Sequence, residues 1–116
     1  GIRASSFTEG TRRHEIAHAL YYINDDYRLH MDILVTNLQQ DYPRAYIKIH
    51  TELLRMGYCE DVIDDEIQAY LGSETKSYII DMFGLDYNLT NKYNKSMKLE
   101  HLIKDFKLVL RKYNTF

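Results

Sequence analysis

The sequence predicts an all-α fold, a compact bundle of about five to six helices around one helix near the start of the chain. Three observations predict it. Apolar residues recur three and four apart through most of the chain. The breakers are few, one Pro and five Gly in 116 residues, and they fall where helices should begin or end. No stretch sustains the two-residue alternation of a half-buried strand, so at most one short strand fits, ahead of His14. Without internal repeats or low-complexity tracts, residues 1–116 read as a single domain with one modest core.

The first helix begins near Phe7, where Ser6-Phe7-Thr8-Glu9 has the form of a capping box. Wound at about 100° per residue, it puts Ile16, Ala19, Leu20 and Ile23 on one side for the core, and His14, His18 and Tyr21 on the opposite side. Gly10 in the first turn works against it, as do Arg12 and Arg13 near the positive end of the helix dipole. Asn24-Asp25-Asp26 then turns the chain and caps a second helix, from about Asp26 to Gln39, with Tyr27, Met31, Leu34 and Leu38 at core spacing. Pro43 suits the first position of a third helix, whose stripe of Tyr46, Ile49, Leu53 and Met56 ends at a Gly57 cap. A fourth helix runs from about Asp61 to Leu71, with Ile63, Ile67 and Leu71 in line and Gly72 as its C-cap. Ser73 opens a short fifth helix that carries Ile79, Ile80 and Phe83 and stops at Gly84.

Residues 85–95 are polar and Asn-rich and read as a loop. Ser96 caps a last helix to about Tyr113, apolar at Leu99, Leu102, Ile103, Phe106, Val109 and Leu110. Its other face carries Lys98, Lys104, Lys107, Arg111 and Lys112, which reads as a solvated face, with docking of an acidic partner as the alternative.

Net charge is −2 and the pI is near 6.2, so nothing in the overall balance favours nucleic acid or an anionic membrane. The lone Cys59 excludes an internal disulfide and favours an intracellular setting. No apolar run approaches the roughly 20 residues of a membrane span. Beginning at Gly1 rather than Met, the chain reads as a processed product, a tag scar or a piece of something longer.

One stretch carries a specific chemistry. His14-Glu15-Ile16-Ala17-His18 matches HExxH. On a helix, residues four apart share a face about 5–6 Å apart. His14 and His18 can therefore offer two imidazole nitrogens to a single zinc ion, with Glu15 beside the metal's open position. A catalytic zinc normally takes a third protein ligand. Asp64-Asp65-Glu66-Ile67-Gln68-Ala69-Tyr70 supplies the candidates, and Glu66, about 100° around the helix from Ile67, can look across a helix interface. His30, His50 and His101 are rivals on paper; His30 and His50, on separate helices with no motif around them, read as satisfied or exposed histidines.

The sequence resembles the gluzincin branch of the zincin metallopeptidases, in which HExxH on one helix is completed by a Glu on a later helix. The residues that carry the resemblance are His14, Glu15 and His18, followed by Glu66 in Glu-Ile-Gln-Ala. By that resemblance His14, His18 and Glu66 would bind Zn2+ and Glu15 would be the general base. The chain departs from the pattern in three ways. Many gluzincins have an acidic residue four positions after the Glu ligand, where Tyr70 stands here. Arg12 is charged where the longer zincin pattern prefers an uncharged residue. And zincins usually hold substrate along a sheet edge ahead of the motif helix, by strand addition, which leaves an additional domain or partner to provide that cradle.

The expected function is then zinc-dependent hydrolysis of a peptide or related amide. Zinc acidifies water and polarises the scissile carbonyl, and Glu15 takes the water's proton and passes it to the leaving amine. Tyr58, ahead of the Glu66 helix, and Tyr70, one turn beyond the ligand, are the candidate oxyanion donors. The rival class is a catalytically inactive helical interaction module with structural zinc or none. Against it, structural zinc sites are usually rich in Cys, whereas Cys59 lies outside the motifs, and Glu15 has no job there.

Overall fold

The computed structural model describes residues 9–115. Among them the chain forms α1 (Glu9–Ile23), α2 (Asp25–Asp41), α3 (Pro43–Arg55), a 3-10 turn (Glu60–Val62), α4 (Ile63–Ser73), α5 (Lys76–Phe83) and α6 (Leu99–Tyr113). There is no sheet among the described residues, only an isolated bridge between Thr90 and Lys98. The all-α expectation holds. The capping box at residues 6–9, the helix start near Phe7 and the optional N-terminal strand lie outside the described residues.

The middle of the bundle is α4, buried from Glu66 to Ser73 and packed by α1, α2, α3 and α6. Tyr27, Met31 and Leu38 of α2, Ile49 and Leu53 of α3, and Leu99, Ile103 and Phe106 of α6 close the core around Ile67 and Leu71. Several ends follow the sequence directly. Asn24 caps α2 by accepting from the Tyr27 N–H at 3.0 Å, Pro43 opens α3, and Gly84 takes the left-handed conformation that ends α5 (φ 63°).

Several expectations need correction. Among the described side chains of α1, Ala17 and Leu20 are buried, while Ala19 is exposed and Ile23 is 68% exposed. The histidine side of α1 therefore faces α4 beside the core, not the opposite direction. The small Ala17 lets α4 approach closely enough for the Gln68 side-chain amide to donate to the Ala17 carbonyl at 3.1 Å. Met56 at the end of α3 is 42% exposed, so the stripe stops at Leu53, while Gly57 (φ 102°) ends the helix as the sequence indicates, with the Tyr58 N–H donating to the Leu53 carbonyl.

Gly72 does not end α4 but lies inside it, buried, where α6 crosses; a Cβ there would sit 3.5 Å from Leu110 Cδ2. Ser73 accordingly closes α4, and Thr75 caps α5 by accepting from the Tyr78 N–H. The last helix starts at Leu99, three residues beyond Ser96. The loop folds back on itself first, through Asn91 N–H to Met97 O and Leu99 N–H to Leu89 O, both 2.8 Å, while His101 Nδ1 accepts from the Lys98 N–H. Among the described residues no helix is long and apolar enough to cross a membrane.

Candidate metal centre

The packing of α1 on α4 brings the HExxH histidines against the acidic first turn of α4. His14 and His18, one turn apart, turn their Nε2 atoms toward each other at 3.1 Å. The Glu66 carboxylate faces both, with Oε2 3.3 Å from His18 Nε2 and Oε1 3.7 Å from His14 Nε2. One ligand atom from each of these three residues falls within a 4.8 Å span. His14, His18 and Glu66 thus form a group that could hold a metal ion.

The partners behind the histidines fix their tautomers. His18 Nδ1 lies 2.9 Å from Asp65 Oδ1, a carboxylate that can only accept, so Nδ1 carries the proton. His14 Nδ1 lies 3.3 Å from Ser73 Oγ, whose own hydroxyl donates to Ala69 O at 2.6 Å; the hydroxyl therefore accepts from His14 Nδ1–H. Both Nε2 lone pairs then point inward at a carboxylate, three acceptors with no donor among them. Glu66 is only 8% exposed, and its Oε1 is buried without a hydrogen-bond partner. A buried all-acceptor group calls for a proton or a cation. Without metal the proton goes to His18: its hydrogen bonds to Asp65 and then Glu66, only partly offset by burial, raise its pKa to about 10. Burial pushes the Glu66 carboxyl up, but hydrogen bonding and charge from His14 and His18 outweigh it and bring the pKa to about 2. Two imidazoles and a carboxylate, each ring oriented from behind by an oxygen, are a donor set that could hold a metal ion.

Asp65, which the sequence offered only as an alternative third ligand, and Ser73, which it did not single out for the site, stand behind the two histidines. The signal for Asp65 was present, since it precedes Glu66 by one residue and is rotated about 100° from it; it reaches the far side of His18 instead of the metal side. Gln68 holds it there. The Gln68 amide donates to Asp65 Oδ1 at 2.9 Å, and its carbonyl accepts from the buried Tyr27 hydroxyl at 2.6 Å.

The remaining site residues fall around the group. Glu15 is exposed on α1 next to His14. The Tyr70 ring meets His14 edge-on with centroids 4.5 Å apart, and its hydroxyl lies 3.2 Å from that of Tyr58. Tyr70 therefore braces His14 with its ring, and its hydroxyl is shared with Tyr58. Of the rival histidines, His50 pairs with Glu60 at 2.9 Å, His30 stands edge-on to Tyr113, and His101 caps α6, all away from the group. No family model, no curated protein and no solved structure matches the chain.

Proposed function

We propose that this chain is a zinc-dependent metallopeptidase-like domain that hydrolyses a peptide or related amide bond, with His14, His18 and Glu66 as the metal ligands. The observation that carries the reading is the convergence of two oriented Nε2 lone pairs on a buried carboxylate, next to an exposed Glu15. Zinc held by this group would supply Lewis acidity toward a carbonyl and lower the pKa of water toward about 7. Glu15, open to solvent beside His14, takes the proton of the attacking water and delivers it to the leaving amine. Asp65 and Ser73 keep both rings in the Nδ1–H tautomer, which leaves Nε2 free for metal. Tyr58 and Tyr70, with hydroxyls in contact, supply the donor for the oxyanion.

A second reading, a catalytically silent helical interaction module, draws on one observation: among the described residues no strand is present along which an extended peptide could lie.

Elemental analysis together with the Glu15→Gln variant separates the two. The metallopeptidase reading expects about one zinc per chain, lost in His14→Ala and His18→Ala with helicity retained. Glu15→Gln should keep its zinc and melting temperature while peptide hydrolysis falls by about 10²–10⁴-fold. Absence of tight metal after zinc loading would remove the enzyme reading. A wild type that cleaves no member of a broad peptide library, with a partner complex disrupted by Glu15→Gln, would establish the interaction module.

A further inference from the structure

A cavity of about 460 Å³ opens behind His14, on the Nδ1 side and away from the metal group. Arg13 of α1, Lys107 and Arg111 of α6, and the junction from Gly72 to Thr75 wall it. We propose that it is a binding site for a small oxyanion, a phosphate or carboxylate group, held by Arg13, Lys107 and Arg111.

The charges in the wall do not balance. Three cations face one carboxylate, Glu74, and that carboxylate is shared with His14, whose Nδ1 lies 3.9 Å away. Among the described residues no ion pair uses Arg13, Lys107 or Arg111. The Lys107 ammonium is pinned at the end of α4, where it donates to the carbonyls of Leu71 and Glu74, so it cannot swing out to solvent as a surface lysine does. Burial, then the neighbouring Arg13 charge, lower the Lys107 pKa, and Glu74 only partly restores it. The pocket thus has a surplus of positive charge that an anion would relieve. Thr75, on the same wall, is the N-cap of α5, and the positive end of that helix adds to the field. Two guanidinium forks and an ammonium are the donors that recognise phosphate and carboxylate oxygens. The volume is at the small end of ligand pockets, which suits a metabolite or a chain-terminal carboxylate rather than a folded partner.

The test is titration of the full chain with inorganic phosphate and, separately, with succinate, at ionic strength held constant with sodium chloride, followed by amide chemical shifts. Saturable shifts at residues 72–75 and 107–111 are expected, and whichever anion saturates at lower concentration identifies the source. Arg111→Gln, an exposed position, and Arg13→Gln should each weaken binding at least tenfold, while Glu74→Gln, which removes the competing carboxylate, should tighten it. The proposal is overturned if the shifts match those from sodium chloride alone, if both arginine variants bind as wild type does, or if the shifts centre on His18 and Asp65.

Discussion

Asp65 accepts a hydrogen bond from the Nδ1–H of His18 at 2.9 Å, while the next residue, Glu66, presents its carboxylate to the other nitrogen of the same ring. Consecutive residues of one helix turn thus hold one imidazole from both sides. The pair should separate cleanly by mutation. In the proposed site Glu66→Gln removes a ligand and should abolish tight zinc binding. Asp65→Asn leaves the ligands in place and should lower affinity by about 10–100-fold. Competition with a chelator reads both, and an Asp65 variant as damaging as the Glu66 variant would reverse the assignment.

Gln68 is fully buried and ties three elements together, donating to Asp65 and to the Ala17 carbonyl and accepting from Tyr27. Gln68→Leu leaves the buried Tyr27 hydroxyl without a partner, at about 1–3 kcal/mol, and removes the extra bond that Gln68 makes to the Ala17 carbonyl. Thermal melting should show a large loss of stability. Zinc affinity should fall with it, because Asp65 loses its support. A change in stability with unaltered affinity would show that Gln68 does not act through Asp65.

Gly72 allows a test that tells a helix interior from a helix end. Ala at an interior position gains about 0.5–1 kcal/mol over Gly, and the new Cβ would make an ordinary contact with Leu110. Gly72→Ala should therefore raise the melting temperature slightly. Gly72→Leu should lower it by driving α4 and α6 apart. Were Gly72 a left-handed cap, the Ala variant would instead be the damaging one.

Alkaline pH provides a third handle. Burial, and then the charge of Asp65, raise the Tyr27 pKa, and burial, and then the charge of Glu100, raise that of Tyr87 to about 12. A group whose folded pKa lies above its unfolded value of about 10 contributes stability in full below pH 10 and loses it as pH climbs through the folded value. Stability should fall between pH 10 and 12. Phenolate absorbance should appear in two phases, exposed tyrosines such as Tyr22 and Tyr93 first and the buried ones only with unfolding. A single phase centred at pH 10 would contradict the burial of Tyr27 and Tyr87.

Tyr70 and Tyr58 can be ranked by hydroxyl deletion. Tyr70→Phe keeps the ring against His14, so metal content should hold; if this hydroxyl is the oxyanion donor, kcat should fall with KM little changed. Tyr58→Phe run in parallel assigns the donor to one of the two. A loss of zinc in Tyr70→Phe would mean that the hydroxyl, not the ring, supports His14.

The pairing of His14 with His18 in a group that could hold a metal was legible because HExxH encodes its geometry locally, in a four-residue spacing that any helix converts into a shared face. Glu66 was legible by its rotation from Ile67. Asp65, Ser73 and Gln68 were not, since which atom each one meets depends on how closely α1 crosses α4, and that distance is set by Ala17, a residue with no chemical signal of its own. Gly72 misled for a related reason. A glycine after an apolar run is most often an end, and only α6, arriving from far along the chain, makes it an interior contact. The capping of the last helix failed because Ser96 is used within the loop, where its hydroxyl bonds Asn94 at 2.7 Å.

Helix α1 buries little apolar surface, Ala17 and Leu20 in full and Ile16 and Tyr21 in part, and is otherwise moored to α4 by polar contacts. A metal joining His14 to Glu66 would close a loop of 66 − 14 = 52 residues. It would act as a removable rivet between α1 and α4. Amide exchange in α1 should then be the first to quicken when metal is withdrawn, with α2, α3 and α6 still protected, so that metal supply sets how often the leading helix peels away from a body that stays folded.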